Sequence, residues 1–169
     1  MSSNVLPPIQ PDSGLPLAEV TFEMTTLSNA PSGIVTLELL DEITGLAFNP
    51  KRYEMDALGG NRYKTVIPIA IGSVVKYRFI SPGSPTAIEY SASGKQVRYR
   101  MFKVDGPASV SDTVAGWTNQ LYDGPTGRIN GQIIDRETNT PIPSALVTAG
   151  GAQTLTASDG SFLLEGLTP

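Results

Sequence analysis

The chain has 169 residues, with 12 Lys and Arg against 16 Asp and Glu, 17 Gly, 14 Pro, and neither Cys nor His. These absences exclude Ser–His–Asp and Cys–His nucleophile systems, imidazole and thiolate metal ligands, disulfides and iron–sulfur clusters. The net charge of −4 argues against a nucleic-acid partner, and apolar runs of only a few residues are too short to insert into a membrane as a spanning helix.

Residues 1–18 carry Pro7, Pro8, Pro11 and Pro16 among Ser, Asn and Gln. Proline fixes φ and lacks a backbone donor, so the segment reads as an extended linker or tail. It has neither the basic nor the apolar region of a signal peptide. From Glu19 the period becomes two, with Val20, Phe22 and Met24 alternating with Thr21, Glu23 and Thr25, as in a half-buried strand. Residues 34–40 place Val35, Leu37 and Leu39 on one face and Thr36 and Glu38 on the other, and residues 41–45 form the following turn. Residues 53–58 make a weaker strand closed by Gly59-Gly60-Asn61, a hairpin signal. Strands follow at 62–69, with Tyr63, Thr65, Ile67 and Ile69 on one face, and at 74–80, with Val75, Tyr77 and Phe79 inward. Residues 87–90 form a short strand, residues 96–104 a long one, and Tyr99 is expected to face the core. No segment holds a 3.6-residue period with caps, so no helix of consequence is expected. Seven or eight short strands over residues 19–117 suggest an antiparallel β-sandwich.

Residues 118–126 break the pattern and read as a linker. Beyond them, 128–135, 145–149, 153–156 and 161–164 are four short strands, with turns at Asn139-Thr140-Pro141 and Ser158-Asp159-Gly160. Four strands leave an open edge, so residues 127–169 are expected to be the amino-terminal part of a domain.

Two resemblances accompany this reading. Gly131, Ile133, Asp135, Thr138, Pro141-Ile142, Ala145, Val147, Thr156, Asp159-Gly160, Phe162, Leu164, Leu167 and Pro169 make residues 127–169 resemble the carboxypeptidase-regulatory-like domain. That resemblance implies a prealbumin-like sandwich serving as a spacer or docking module in secreted and surface proteins. Residues 19–117 are similar to family-20 and family-48 starch-binding carbohydrate-binding modules. The residues behind this are Val20-Thr21-Phe22, Phe48-x-Pro50, Met55, Tyr63, Gly72, the 75–79 run, Arg98, and Asp112-Thr113-Val114-x-x-Trp117. In that family a Trp commonly stands at the Phe48 position, a Lys at Arg78, and a second Trp near residues 88–90. Here Phe48 keeps a ring, Arg78 keeps the charge, and Tyr90 is the available second platform.

Sugar recognition needs exposed rings for pyranose C–H faces and polar groups beside them. The candidate ligand-binding residues are Phe48, Asn49, Tyr53, Lys76, Arg78, Glu89, Tyr90 and Trp117, with Tyr122 as a further ring. The alternative for each ring is a place in the core or along its edge. Lys76 with Arg78, and Arg98 with Arg100, form either a cationic stripe for acidic polysaccharide or a solvated face paired with Glu23 or Glu38. Asp41-Glu42, Glu54-x-Asp56 and Asp159-Gly160 lack the spacing of a calcium loop and read as structural turns.

The sequence thus predicts an all-β chain of two consecutive immunoglobulin-like or prealbumin-like antiparallel β-sandwiches, the second incomplete. No catalytic residue, metal or cofactor is expected. The expected function is weak polysaccharide binding by a non-catalytic module of a larger extracellular or cell-surface protein, in contact with that protein's other domains. The alternative is a ligand-free spacer or adhesion stalk.

Overall fold

The computed structural model describes residues 14–169; most of the expected 1–18 linker lies outside the described residues. The described residues are all-β, as expected. The first unit contains β1 (Leu17–Thr26), β2 (Thr36–Leu39), β3 (Lys51–Glu54), β4 (Asp56–Gly59), β5 (Arg62–Ala70), β6 (Val74–Ser81), β7 (Ala87–Tyr90), β8 (Arg100–Lys103), β9 (Ala108–Val114) and β10 (Gly116–Trp117). One sheet has the order β4-β5-β1-β9; the other runs β10-β7-β6-β2-β3, with β8 also paired to β6.

The alternation in β1 works as its sequence predicts: Ala18, Val20, Phe22 and Met24 are buried, while Thr21, Glu23 and Thr25 are partly exposed. Tyr63, Ile67 and Ile69 of β5 continue the same buried face, and Val75, Tyr77 and Phe79 of β6 meet it from the opposite sheet. Phe22 and Tyr77 join the two sheets edge to face at 5.0 Å. Each such apolar side chain contributes about 1.5–3 kcal/mol through burial. Tyr99 departs from its expected place. It is buried outside this core, against Gly45 and beneath Lys76.

Three features of the topology go beyond the sequence reading. Residues 53–58 are not one strand: β3 pairs with β2, β4 pairs with β5, and buried Met55 marks the crossing between sheets. The Gly59-Gly60-Asn61 turn then closes the β4–β5 hairpin, all three residues having positive φ. The edge partner of β1 is β9, and this pairing is parallel, from Val20↔Ala108 to Thr26↔Val114. The expected 96–104 strand is reduced to β8; Val97 instead donates its backbone N–H to the Glu89 carbonyl.

The second unit carries four strands as two antiparallel ribbons: β11 (Gly127–Gln132) with β14 (Ser161–Leu167), and β12 (Leu146–Ala149) with β13 (Ala152–Leu155). The Asp-Gly turn has a local cause. Asp159 Oδ1 accepts from the Ser161 N–H and hydroxyl, while Gly160 adopts φ +75° against the Ile133 carbonyl, where a Cβ has no room. Those two hydrogen bonds hold the Asp159 carboxyl below its ordinary value. Leu164 is the large apolar residue this unit buries most fully, whereas Ile129, Leu146, Leu155 and Leu163 remain exposed.

The two units touch closely. Gln153 Nε2 donates to the Tyr99 carbonyl at 2.8 Å. A Cβ on Gly151 would lie 2.7 Å from Val97 Cγ2, and one on Gly166 would overlap the Ser93 side chain and approach its backbone nitrogen at 2.9 Å. Gly166→Ala is therefore expected to destabilise the second unit by about 1–3 kcal/mol from its left-handed backbone alone, and the clash with Ser93 weakens docking in addition. Hydrogen exchange should accelerate in β12–β14 and stay unchanged in β1 and β5. Uniform protection in both units would contradict this.

Candidate functional site

Phe48 and Asn49 lie in the loop between β2 and β3, and Lys76 projects from β6. These three line a shallow groove of about 270 Å³ together with Asp41, Glu42 and Lys51. Phe48 is 67% exposed, and Asn49 takes φ 47°, a backbone region that Asn tolerates better than most residues. Lys76 donates from Nζ to the Ile43 carbonyl at 2.8 Å and sits 5.0 Å above the Tyr99 ring. Asp41 Oδ1 accepts from the Thr44 N–H, the Thr44 hydroxyl and the Ile43 N–H. Those bonds, the Thr44 backbone first, hold its carboxyl low. Asp135 and Thr138 repeat the same turn in the second unit. The structural-turn reading of Asp41 and Asp159 therefore has a specific hydrogen-bonded basis.

The other predicted ligand residues are not in this groove. Tyr53 is half-buried in β3 against the core, and burial pushes its phenol up. Tyr90 is half-buried in β7, opposite Gly116 and bridged to Gln96. Tyr122 bonds the Pro125 carbonyl at 3.1 Å. Arg78 is turned onto Glu38, Nε to Oε2 at 2.6 Å.

Two candidates are overturned outright. Trp117 is 0% exposed and its Nε1 donates to Thr26 Oγ1 at 3.0 Å; a ring enclosed on all sides presents no platform to a sugar. Glu89 is also 0% exposed. Its carboxylate accepts from the Phe79 N–H at 3.0 Å and from Arg100 Nη2 at 2.8 Å, so its acceptor capacity is used inside the protein. Arg100 further binds Asp112 at 2.9 Å and the Thr113 carbonyl at 2.8 Å, while Tyr77 Oη donates to Asp112 at 2.8 Å. Burial pushes the Glu89 carboxyl up, opposed by the charge and hydrogen bonds of Arg100. Burial also acts to lower the Arg100 guanidinium, but Glu89 and Asp112 outweigh it and hold it above its ordinary value.

The cationic stripe is dismantled as well. Glu38 sits in register between Arg52 on β3 and Arg78 on β2's other neighbour, β6, and binds both. Arg100 is consumed by Glu89, leaving Arg98 exposed. Direct cross-strand placement of opposite charges explains the Glu38 pairs. The Arg78–Glu38 pair is the alternative expected for this face, but Glu38 is buried rather than solvated, and its second partner Arg52 follows from strand register that the sequence does not reveal. No local motif in the sequence marks Lys51 or Glu42 as groove residues.

Among the described residues no group of three or more His, Cys, Asp or Glu is arranged to hold a metal ion. No helix of the described residues is long and apolar enough to cross a membrane. No family model matches the chain, and no curated protein does. It is similar to a solved structure described as the "Structure of the Streptococcal ancillary pilin", at 13% identity and a TM-score of 0.36. The alignment covers 89% of this chain and 50% of that one. The chain thus spans half the length of that pilin, and so remote a likeness assigns no function.

Proposed function

We propose that this chain is a non-catalytic structural unit, a spacer or adhesion-stalk segment of a modular extracellular protein. The observation that carries this reading is the use made of its aromatic side chains. Trp117, Tyr77, Phe22 and Phe79 are fully buried, Tyr53 and Tyr90 are half-buried, and Phe48 alone among the chain's aromatics is exposed. Polysaccharide modules work by presenting rings to solvent; this chain spends its rings on cohesion. Carboxylates committed to arginines or turn amides serve the same end. The extracellular setting is supported by the resemblance of residues 127–169 to the carboxypeptidase-regulatory-like domain.

Affinity electrophoresis in amylose and pullulan tests the proposal. Unchanged migration, with no reducing ends released from either glucan, is the expected result. Either retardation or hydrolysis contradicts the spacer reading.

A second reading, weak neutral-glucan binding, is favoured by one observation: Phe48, Asn49 and Lys76 do share a groove. On that reading the gels show retardation and Phe48→Ala abolishes it. Because the ring is exposed, the substitution should change unfolding free energy by no more than about 0.5 kcal/mol. A larger loss by urea titration would show that Phe48 is a packing residue.

A further inference from the structure

We propose that the cleft between the two units is a binding site for a short stretch of acidic, uronate-bearing saccharide. The cleft encloses about 320 Å³, at the lower end of the ~300–1,000 Å³ typical of small-ligand sites. One wall is the turn after β7, where Ser91 accepts from the Gly94 N–H and itself binds Lys95 through both its amide and its hydroxyl. Buried Ser91 pairs through its hydroxyl with that of exposed Ser93 at 2.9 Å, so this turn holds the Ser93 hydroxyl beside the base of Lys95. The opposite wall comes from β13 and β14 and includes Gln153, Leu163 and Glu165.

Three features select the ligand. Lys95 and Arg98 both line the cleft, both are exposed, and neither makes an ion pair among the described residues. The Arg98 guanidinium lies 5.8 Å from the Tyr99 ring centroid, a contact that limits its swing. Glu165 is the one acid in the lining, so cations outnumber it locally although the whole chain is negative. Second, no aromatic side chain lines the cleft, which removes the usual stacking surface for a neutral pyranose and leaves charge and hydrogen bonding to hold a ligand. Third, the lining includes the apolar Leu163 and the polar Ser93, Gln96 and Thr154, a mixture that matches a sugar carrying a carboxylate, hydroxyls and C–H faces. The site is preformed, because Gly151, Gly166 and the Gln153–Tyr99 hydrogen bond fix the walls, so little ordering cost falls on binding.

Amide shift mapping of the full ¹⁵N-labelled chain with trigalacturonate, and with maltotriose as the neutral control, tests this. Saturable shifts at Ser93, Lys95, Gly151 and Gly166 with trigalacturonate alone are expected, weakening as salt rises. Joint replacement Lys95→Ala and Arg98→Ala should weaken binding about tenfold or more, and Glu165→Gln should tighten it. All three positions are exposed, so folding is retained. Absence of shifts at those amides, equal shifts with maltotriose, or tighter binding of an oligoglutamate peptide would each overturn the proposal. The glucan gels test neutral-glucan binding independently, so failure here leaves that result standing, whereas success makes the spacer one that also carries an acidic saccharide.

Discussion

Arg100→Met is expected to destabilise the chain by about 3–5 kcal/mol at pH 7, because it strands Glu89 as a buried charge without a counter-ion. The Phe79 N–H still reaches that carboxylate, but one neutral donor does not replace a guanidinium. Asp112 also loses its partner, although it keeps the Tyr77 hydroxyl and is partly exposed. The loss should depend on pH with a defined sign. In the variant the folded Glu89 holds its proton to a higher pH than the unfolded chain does. Stability is therefore lost as pH rises through the folded value and recovered as pH falls toward the ordinary carboxylate range. Urea titrations at pH 7 and pH 5 check this, with the smaller deficit expected at pH 5. Adding Glu89→Leu should restore much of the loss at pH 7, since an apolar pair of similar volume avoids desolvating charge. Equal deficits at both pH values would show that Glu89 is not the source.

Trp117→Ala should cost about 3–5 kcal/mol by leaving a cavity where the largest fully buried side chain sits. Trp117→Phe isolates the indole N–H from the ring volume. Its cost should be smaller, because Thr26 Oγ1 retains its own bond to the Ser28 carbonyl at 2.6 Å. Denaturant unfolding of both variants distinguishes these contributions. A Trp117→Ala protein of wild-type stability would mean that the ring is not a core residue.

What the residues disclose and what they hide follow one physical rule. β1, β5 and β6 are legible because one face of each is apolar and one is polar, so the period of two survives in the sequence. The Gly59-Gly60-Asn61 hairpin is legible because its backbone demands residues that accept positive φ. Glu89 is opaque for the converse reason. Flanked by Ile88 and Tyr90 it reads as an outward polar residue, and only the fold brings Arg100 onto it. Trp117 is ambiguous in the sequence because burial of a ring depends on the strands that cover it. The crossing at Met55 is invisible because β3 and β4 read as one run although they belong to different sheets. Only the far end of β9 is legible, in the run from Asp112 to Trp117; its start is not, because Ala108 and Val110 between Ser109 and Ser111 give too short an alternation, and its parallel partner β1 lies at the far end of the unit.

The parallel ladder between β1 and β9 governs how this unit bears tension. The chain enters along β1 and leaves past β9 in the same direction, so a pull on the two flanks drives these neighbours past each other lengthwise. The seven residue pairs from Val20↔Ala108 to Thr26↔Val114 are then loaded in shear together instead of being peeled open one at a time. Rupture must wait for a collective slip, whose rate rather than the equilibrium free energy sets mechanical lifetime. On the proposed spacer role, that wiring would let the segment keep its length under load.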